Sequence, residues 1–308
     1  MIEKPNLGLF QAGNAFMHRI GKGVFILVLC ISVALAEDER QDKLATPAEK
    51  YQALLKERQD GPEVLSKAKT AEERKQVQAR LVKLPLRFLE LAEQNPEDPV
   101  ALEALIQTVS WVNSTAFPEG GKDSPGERAL ALLRRDHVRS DKLGPVCQQV
   151  LFGFHKSHEE FLRAVLEMNP HPEVQALACL SLAQFLNDRL NRLAVLQDQP
   201  DLAERYHRVF GKAFLEELQQ QDRAAVAKEA ETLFAWAAEK YGDVKIPVTY
   251  LGSGGTVGEK AKAELFQIRH LAVGKEAPEI EGEDQDGQRF KLSDYRGKVV
   301  LLDFWHRL

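Results

Sequence analysis

Cysteine is scarce in this chain: its 308 residues include three, Cys30, Cys147 and Cys179. A fold stapled by several disulfides is therefore excluded. No cysteine follows Cys179, a gap that matters below. Charge of one sign is lacking as well. With 41 Lys and Arg against 46 Asp and Glu the net charge is −5, so no global basic field invites nucleic acid or anionic lipid. Low-complexity tracts are missing. The apolar block near the N-terminus, Val24 to Leu35, is about a dozen residues, short of the roughly 20 that cross a bilayer as a helix.

What is present is ordinary globular composition, 44% hydrophobic and 28% charged, with length for about two domains. The first 36 residues are set apart from the fold. Met17 to Lys22 is a short basic segment, Val24 to Leu35 is apolar, Ala34-Leu35-Ala36 is an A-x-A cleavage pattern, and polar Glu37 follows. This order predicts an export signal cut after Ala36, with Met17 as a second candidate start; an uncleaved anchor is the alternative. Leu29 spoils a lipobox at Cys30, where a small residue belongs. Export leads to an oxidising compartment. There Cys147 and Cys179 are either one disulfide or, the preferred reading, two buried free thiols.

From Thr46 to Tyr241 helix starts and stops alternate. Thr46-Pro47-Ala48-Glu49 and Thr70-Ala71-Glu72-Glu73 are capping boxes, Asp98-Pro99 and Ser124-Pro125 are cap-plus-proline starts, and Ser157-His158-Glu159-Glu160 is a further box. Gly61-Pro62, Asn95-Pro96, Asn169-Pro170 and Tyr241-Gly242 are stops. Helical stripes run through Phe161, Leu162, Val165 and Leu166, and through Leu177, Leu180, Leu182, Phe185 and Leu186. Phe214, Leu215 and Leu218 mark one later helix; Val226, Ala230, Leu233, Phe234 and Ala237 mark another. The stretches beginning at Phe88 and Phe161 share a helix, an Asn-Pro corner and a proline-started helix. That is either a stacked-hairpin repeat or a chance likeness of two amphipathic hairpins.

Three tempting sites fail on spacing. In His155-Lys156-Ser157-His158-Glu159, Ser157 as the cap leaves His155 outside the helix, and H-x-x-H-E is not the inverted zinc order, so no metal is expected. Gly252 to Gly258 has Val257 where a dinucleotide loop needs glycine, and Glu259 follows Gly258 where a phosphate loop needs lysine; it reads as a flexible linker with a capping box from Thr256 to Glu259. Trp111 and Trp236 lie in apolar helical settings and read as core.

From Ala272 the pattern turns to strand. Glu279 to Glu283 and Arg289 to Leu292 flank Asp286-Gly287, a hairpin turn. Ser293 to Gly297 form a short turn. Val299 to Trp305 is almost unbroken apolar sequence, expected as a central strand covered on both faces. The stretch Val273 to Trp305 resembles the opening of the redoxin group of the thioredoxin-like fold, which includes TlpA-like thiol–disulfide oxidoreductases and AhpC/TSA peroxiredoxins. The residues that carry the resemblance are Val273-Gly274 with Ala277-Pro278, Asp286-Gly287, Leu292-Ser293-Asp294, Arg296-Gly297-Lys298 and the apolar run. In that group the strand leads to a reactive cysteine at a helix N-terminus, where the dipole favours thiolate. Here His306-Arg307-Leu308 follow, and no residue maps onto the nucleophile or the resolving thiol. Cys147, near a helix start, is the better placed of the two remaining thiols, without a Cys-x-x-Cys partner.

The expectation is a mostly α chain: signal 1–36, linker 37–45, a helical domain of stacked hairpins at 46–241, a Gly-rich linker and connecting helix at 242–272, and at 273–308 the truncated hairpin and first core strand of a thioredoxin-like domain. The resemblance implies an envelope or periplasmic thiol–disulfide oxidoreductase or thiol peroxidase, acting on a protein dithiol or a peroxide and inactive as written. No catalytic, cofactor or metal residue and no cofactor is assigned, and membrane contact would come only through the signal segment. The rival is a non-enzymatic helical scaffold that donates its last strand to a partner.

Overall fold

Capping residues and proline place the helices where the local chemistry demands. The computed structural model describes residues 45–110, 124–152, 155–199, 218–247 and 254–303, with residues 201, 202, 204 and 216. The signal-like segment, Trp111, Phe214, Leu215 and Phe304 to Leu308 lie outside them. The helices are α1 (Pro47–Lys67), α2 (Ala71–Val82), α3 (Leu84–Gln94), α4 (Pro99–Val109), α5 (Pro125–Asp136), α6 (Gly144–Val150), α7 (Lys156–Met168), α8 (Pro172–Asp198), α9 (Arg223–Lys240) and α10 (Val257–Phe266). One π-helical turn, Gln267–Leu271, prolongs α10. A two-stranded antiparallel sheet, β1 (Glu281–Glu283) and β2 (Arg289–Lys291), stands near the C-terminus. The molecule is thus mostly helical with a small sheet. Among the described residues no helix is long and apolar enough to cross a membrane.

The chain divides into two units between Ala104 and Leu105, inside α4. In the first, α1, α2 and α3 pack on one another around Tyr51, Leu54, Phe88 and Leu89. The boxes at Thr46 and Thr70 form as expected. Gly61-Pro62 does not end a helix: α1 runs through it to Lys67. A mid-helix proline lacks an N–H and crowds the carbonyl four residues back, but packing overrides that cost. A Cβ on Gly61 would sit 2.5 Å from Leu81 Cδ2, so glycine here admits the side chain of α2.

In the second unit the 27-residue α8, about 40 Å long, is the centre. It packs against α6, α7, α9 and α10. Ala176 to Ala183 are buried without interruption. The expected stripes at Phe161, Leu162 and Val165 and at Ala230, Leu233, Phe234 and Ala237 face this core. Asn169 is more than a helix stop. Its buried amide donates to Val138 O at 2.7 Å and Ser140 O at 2.8 Å, and its Oδ1 accepts the His171 N–H. It ties the α7–α8 corner to the chain that enters α6.

The described residues on either side of the expected linker glycines, 242–247 and 254–258, are paired with each other. Val257 N–H donates to Val244 O, Gly258 N–H to Gly242 O and Ile246 N–H to Gly255 O, around an antiparallel bridge between Lys245 and Thr256. The capping box from Thr256 to Glu259 forms. A Cβ on Gly258 would lie 2.8 Å from both Cα and O of Gly242, backbone atoms that cannot swing aside. Gly258→Ala is expected to lower the unfolding free energy by about 1–3 kcal/mol, read as a shift of the urea midpoint at unchanged slope. A shift below about 0.5 kcal/mol, the size of an ordinary surface substitution, would mean that the two segments are not held together.

Candidate functional site

Residues 273–303 are the part of the chain where the sequence carries chemical information, and short-range polar bonds shape them. Asp284 builds the hairpin turn: its Oδ1 accepts the N–H of Asp286 and of Gln288, both at 2.9 Å, and its own N–H donates to Gln288 O. Gly287 supplies the positive φ of +77° that closes this turn. The register pairs Glu281 with Lys291, Gly282 with Phe290 and Glu283 with Arg289. A 3₁₀ turn at Leu292–Tyr295 follows, its start held by Lys291 N–H on Asp294 Oδ2 at 2.9 Å. Ser293 N–H donates to Glu279 Oε1, and the serine's bonds hold the Glu279 carboxyl below its ordinary range.

This segment has no core. From Phe266 to Asp303 no residue is buried; Ile280, Phe290 and Leu292 are half-buried. The expected central strand is not formed over its described part, Val299 to Asp303, which lies outside any ladder. Val299 is 103% and Leu301 93% exposed. The physical reason is local: a hairpin of three residues per strand offers no sheet face wide enough to cover such a run.

A shallow hollow beside it is lined by His270, Glu276, Ala277, Glu279, Leu292, Ser293 and Arg296. Its polar groups are engaged with each other: Arg296 with Glu276 at 2.6 Å, and Ser293 with Glu279. His270 rests against the Phe266 ring at 5.0 Å between centroids. The groups that line it already spend their charge on one another, which suits a structural role rather than catalysis.

Residues 273–307 match the AhpC/TSA family model. The match covers about a tenth of the chain, at its C-terminal end, and supports a redoxin-type, thioredoxin-like relationship for that stretch. No curated protein and no solved structure matches the chain. The AhpC/TSA stretch falls on the hairpin, the 3₁₀ turn and the exposed apolar run.

Neither described cysteine lies in the AhpC/TSA stretch. Both are free and buried, as preferred from the sequence, and no disulfide joins them. Cys147 sits in α6 at the position that seemed favourable for thiolate, but it is fully buried and burial pushes its thiol up well above the usual range. A helix N-terminus contributes about 0.3–1 kcal/mol, under one pKa unit, whereas full burial shifts a group by up to about 3–5 units, so burial wins. Cys179, in α8, is pushed up to about 12 by burial and hydrogen-bonds Leu233 O at 3.5 Å.

The His155 to Glu159 cluster differs from expectation in its frame. His155, not Ser157, is the N-cap, and α7 begins at Lys156. Among the described residues no cluster of three or more His, Cys, Asp or Glu is arranged to hold a metal. The helix instead carries a charge relay that sequence reasoning missed. Glu159 accepts from Arg163 at 2.8 Å and from Arg189 of α8 at 2.7 Å, and Arg163 reaches Glu229 of α9 at 2.6 Å. With its amide oxygen turned inward, Gln221 accepts from Arg189 Nη2 at 2.7 Å. The signal was legible in principle: Arg189 stands on the same apolar face as Phe185, Leu186 and Leu193.

In a Cys30→Ser background a thiol reagent at about pH 8 is expected to label neither Cys147 nor Cys179 in the native chain and both after addition of denaturant. Rapid native labelling of one thiol would overturn the burial argument.

Proposed function

We propose that the chain is an exported envelope protein that joins a helical part, residues 46–241, to a redoxin-type thiol–disulfide module that begins at Val273. The supporting observation is a coincidence of sequence and geometry. The AhpC/TSA match falls on a polar-stitched hairpin followed by Val299 to Leu302, apolar residues left exposed and unpaired. Val299 and Leu301, almost fully exposed, would each gain about 1.5–3 kcal/mol when covered, so this edge favours union with more sheet. In the proposed reaction a thiolate attacks one sulfur of a partner's disulfide, a mixed disulfide forms, and the other sulfur leaves as thiolate. A peroxide substrate would instead convert the thiolate to sulfenate and leave as alcohol or water.

Exposure of the same edge favours a second reading, a non-enzymatic scaffold that gives Val299 to Leu302 to a partner's sheet as an added strand. A partner that co-purifies with the chain and is lost when residues 299–308 are deleted supports it; a partner that stays bound after the deletion, or a strictly monomeric chain, counts against it.

The 308-residue chain is expected to turn over neither insulin disulfides nor peroxide beyond a Cys147→Ser/Cys179→Ser control. In a Cys30→Ser background, turnover that survives the double substitution contradicts a thiol mechanism, and turnover that requires either cysteine moves the sulfur inside the chain. For export, mass spectrometry of the mature protein is expected to find Glu37 at the N-terminus. A chain that retains residues 17–36 supports the anchor instead.

A further inference from the structure

His158 is 1% exposed, at the third position of α7. Its Nδ1 accepts the His155 N–H at 3.1 Å and so closes the first turn of the helix. A ring nitrogen that accepts carries no proton, so the neutral ring holds its hydrogen on Nε2. Nε2 has no hydrogen-bond partner among the described residues. Glu127 Oε1 of α5 stands 3.6 Å away, equally buried and equally without a bond. That separation is too long for a hydrogen bond.

Charging this ring disturbs three things together. The second proton must go to Nδ1, where it meets the His155 N–H donor to donor and removes the bond that closes the turn. The cation would sit at a helix N-terminus, where the macrodipole repels it. It would also be buried, with the His155 ring centroid 5.8 Å from its own. The Glu127 carboxylate, 3.6 Å from Nε2, acts in the other direction. Three charged groups on the elements around α7 are paired elsewhere. Arg134 of α5 pairs with Glu160, Arg189 of α8 with Glu159, and Glu229 of α9 with Arg163. Helix α6 brings no charged side chain, and Lys156, two residues before His158, is exposed.

We propose that His158 is an acid-sensitive latch: neutral, it holds the first turn of α7 closed against α5, and its protonation releases that turn. Burial is the largest cause that keeps its pKa down, at about 3 against an ordinary 6.5, with the charge of His155 adding to it. A depressed folded-state value means that the stabilisation is complete above about 6.5 and is lost as the pH falls from there toward about 3. The latch is independent of the redoxin reading, since its residues lie in α5 and α7 and none belongs to 273–303.

The test uses the full chain and two readouts. In ring-nitrogen NMR, His158 is expected to remain neutral with its proton on Nε2 from pH 7.5 to below pH 5. Amide exchange at residues 155–159, corrected for its intrinsic pH dependence, is expected to show the opening constant rising about a hundredfold between pH 7.5 and 4.5. In His158→Asn, whose Oδ1 can still accept the His155 N–H but cannot titrate, the rise is expected to be under about threefold. An equal rise in both proteins overturns the proposal. So does a His158 that titrates near its ordinary value in the folded wild type, a measurement that stands if the variant does not fold.

Discussion

The dryness around α8 is the condition on which the rest of the helical unit depends. From Ala176 to Ala183 every residue is buried, and small side chains at Ala176, Ala178, Ser181 and Ala183 let the neighbouring helices approach. Burial on that scale stabilises the unit through its apolar surface and sets the terms for each polar group near it. It keeps the Cys179 thiol protonated and gives it a carbonyl to bond. It obliges Arg189, 3% exposed, to find Glu159. Removing one member of such a buried pair costs about 3–5 kcal/mol, because the other charge is left behind.

The C-terminal segment follows the opposite logic. Asp284 and Asp294 tie down backbone N–H groups a few residues away and Glu279 that of Ser293, which fixes a hairpin and a turn without burying anything. Such bonds contribute little net stability in water, roughly 0.5–1.5 kcal/mol each, yet they define a shape. The apolar run beyond them is the inverse case, with much burial free energy available and no surface in reach. A segment that is pre-shaped by local bonds and left without a core is suited to joining a larger sheet, and for that reason the redoxin match is read as a module and not as a decoration of the helical unit.

Much of the helical architecture was legible because its determinants are local. Thr46, Thr70, Ser124 and Thr256 each bond an N–H three residues on, and the motif spells out its own partner. The misses share a cause. Gly61-Pro62 reads as a stop until Leu81 is seen lying on the glycine. Ser157 reads as a cap until burial of His158 moves the helix start back to His155. The glycines between 252 and 258 read as a loose linker, although Gly258 is there so that Gly242 can touch it. In the candidate site the hairpin turn and the 3₁₀ turn were readable, whereas the fate of Val299 to Leu302 was not, since it rests on whether a sheet exists to receive them.

By itself the sequence determined the caps at Thr46, Thr70, Ser124 and Thr256, the apolar stripes, the hairpin turn at Asp286-Gly287 and the absence of any thiol after Cys179 within these residues, since each is read from the residue string itself. Only the tertiary structure decided that Cys147 is fully buried, that Asn169 reaches back across 31 residues to Val138, and that Glu127 faces His158. Those outcomes turn on which surfaces lose water when distant helices meet, and desolvation is a property of the assembled packing that no short stretch of residues encodes.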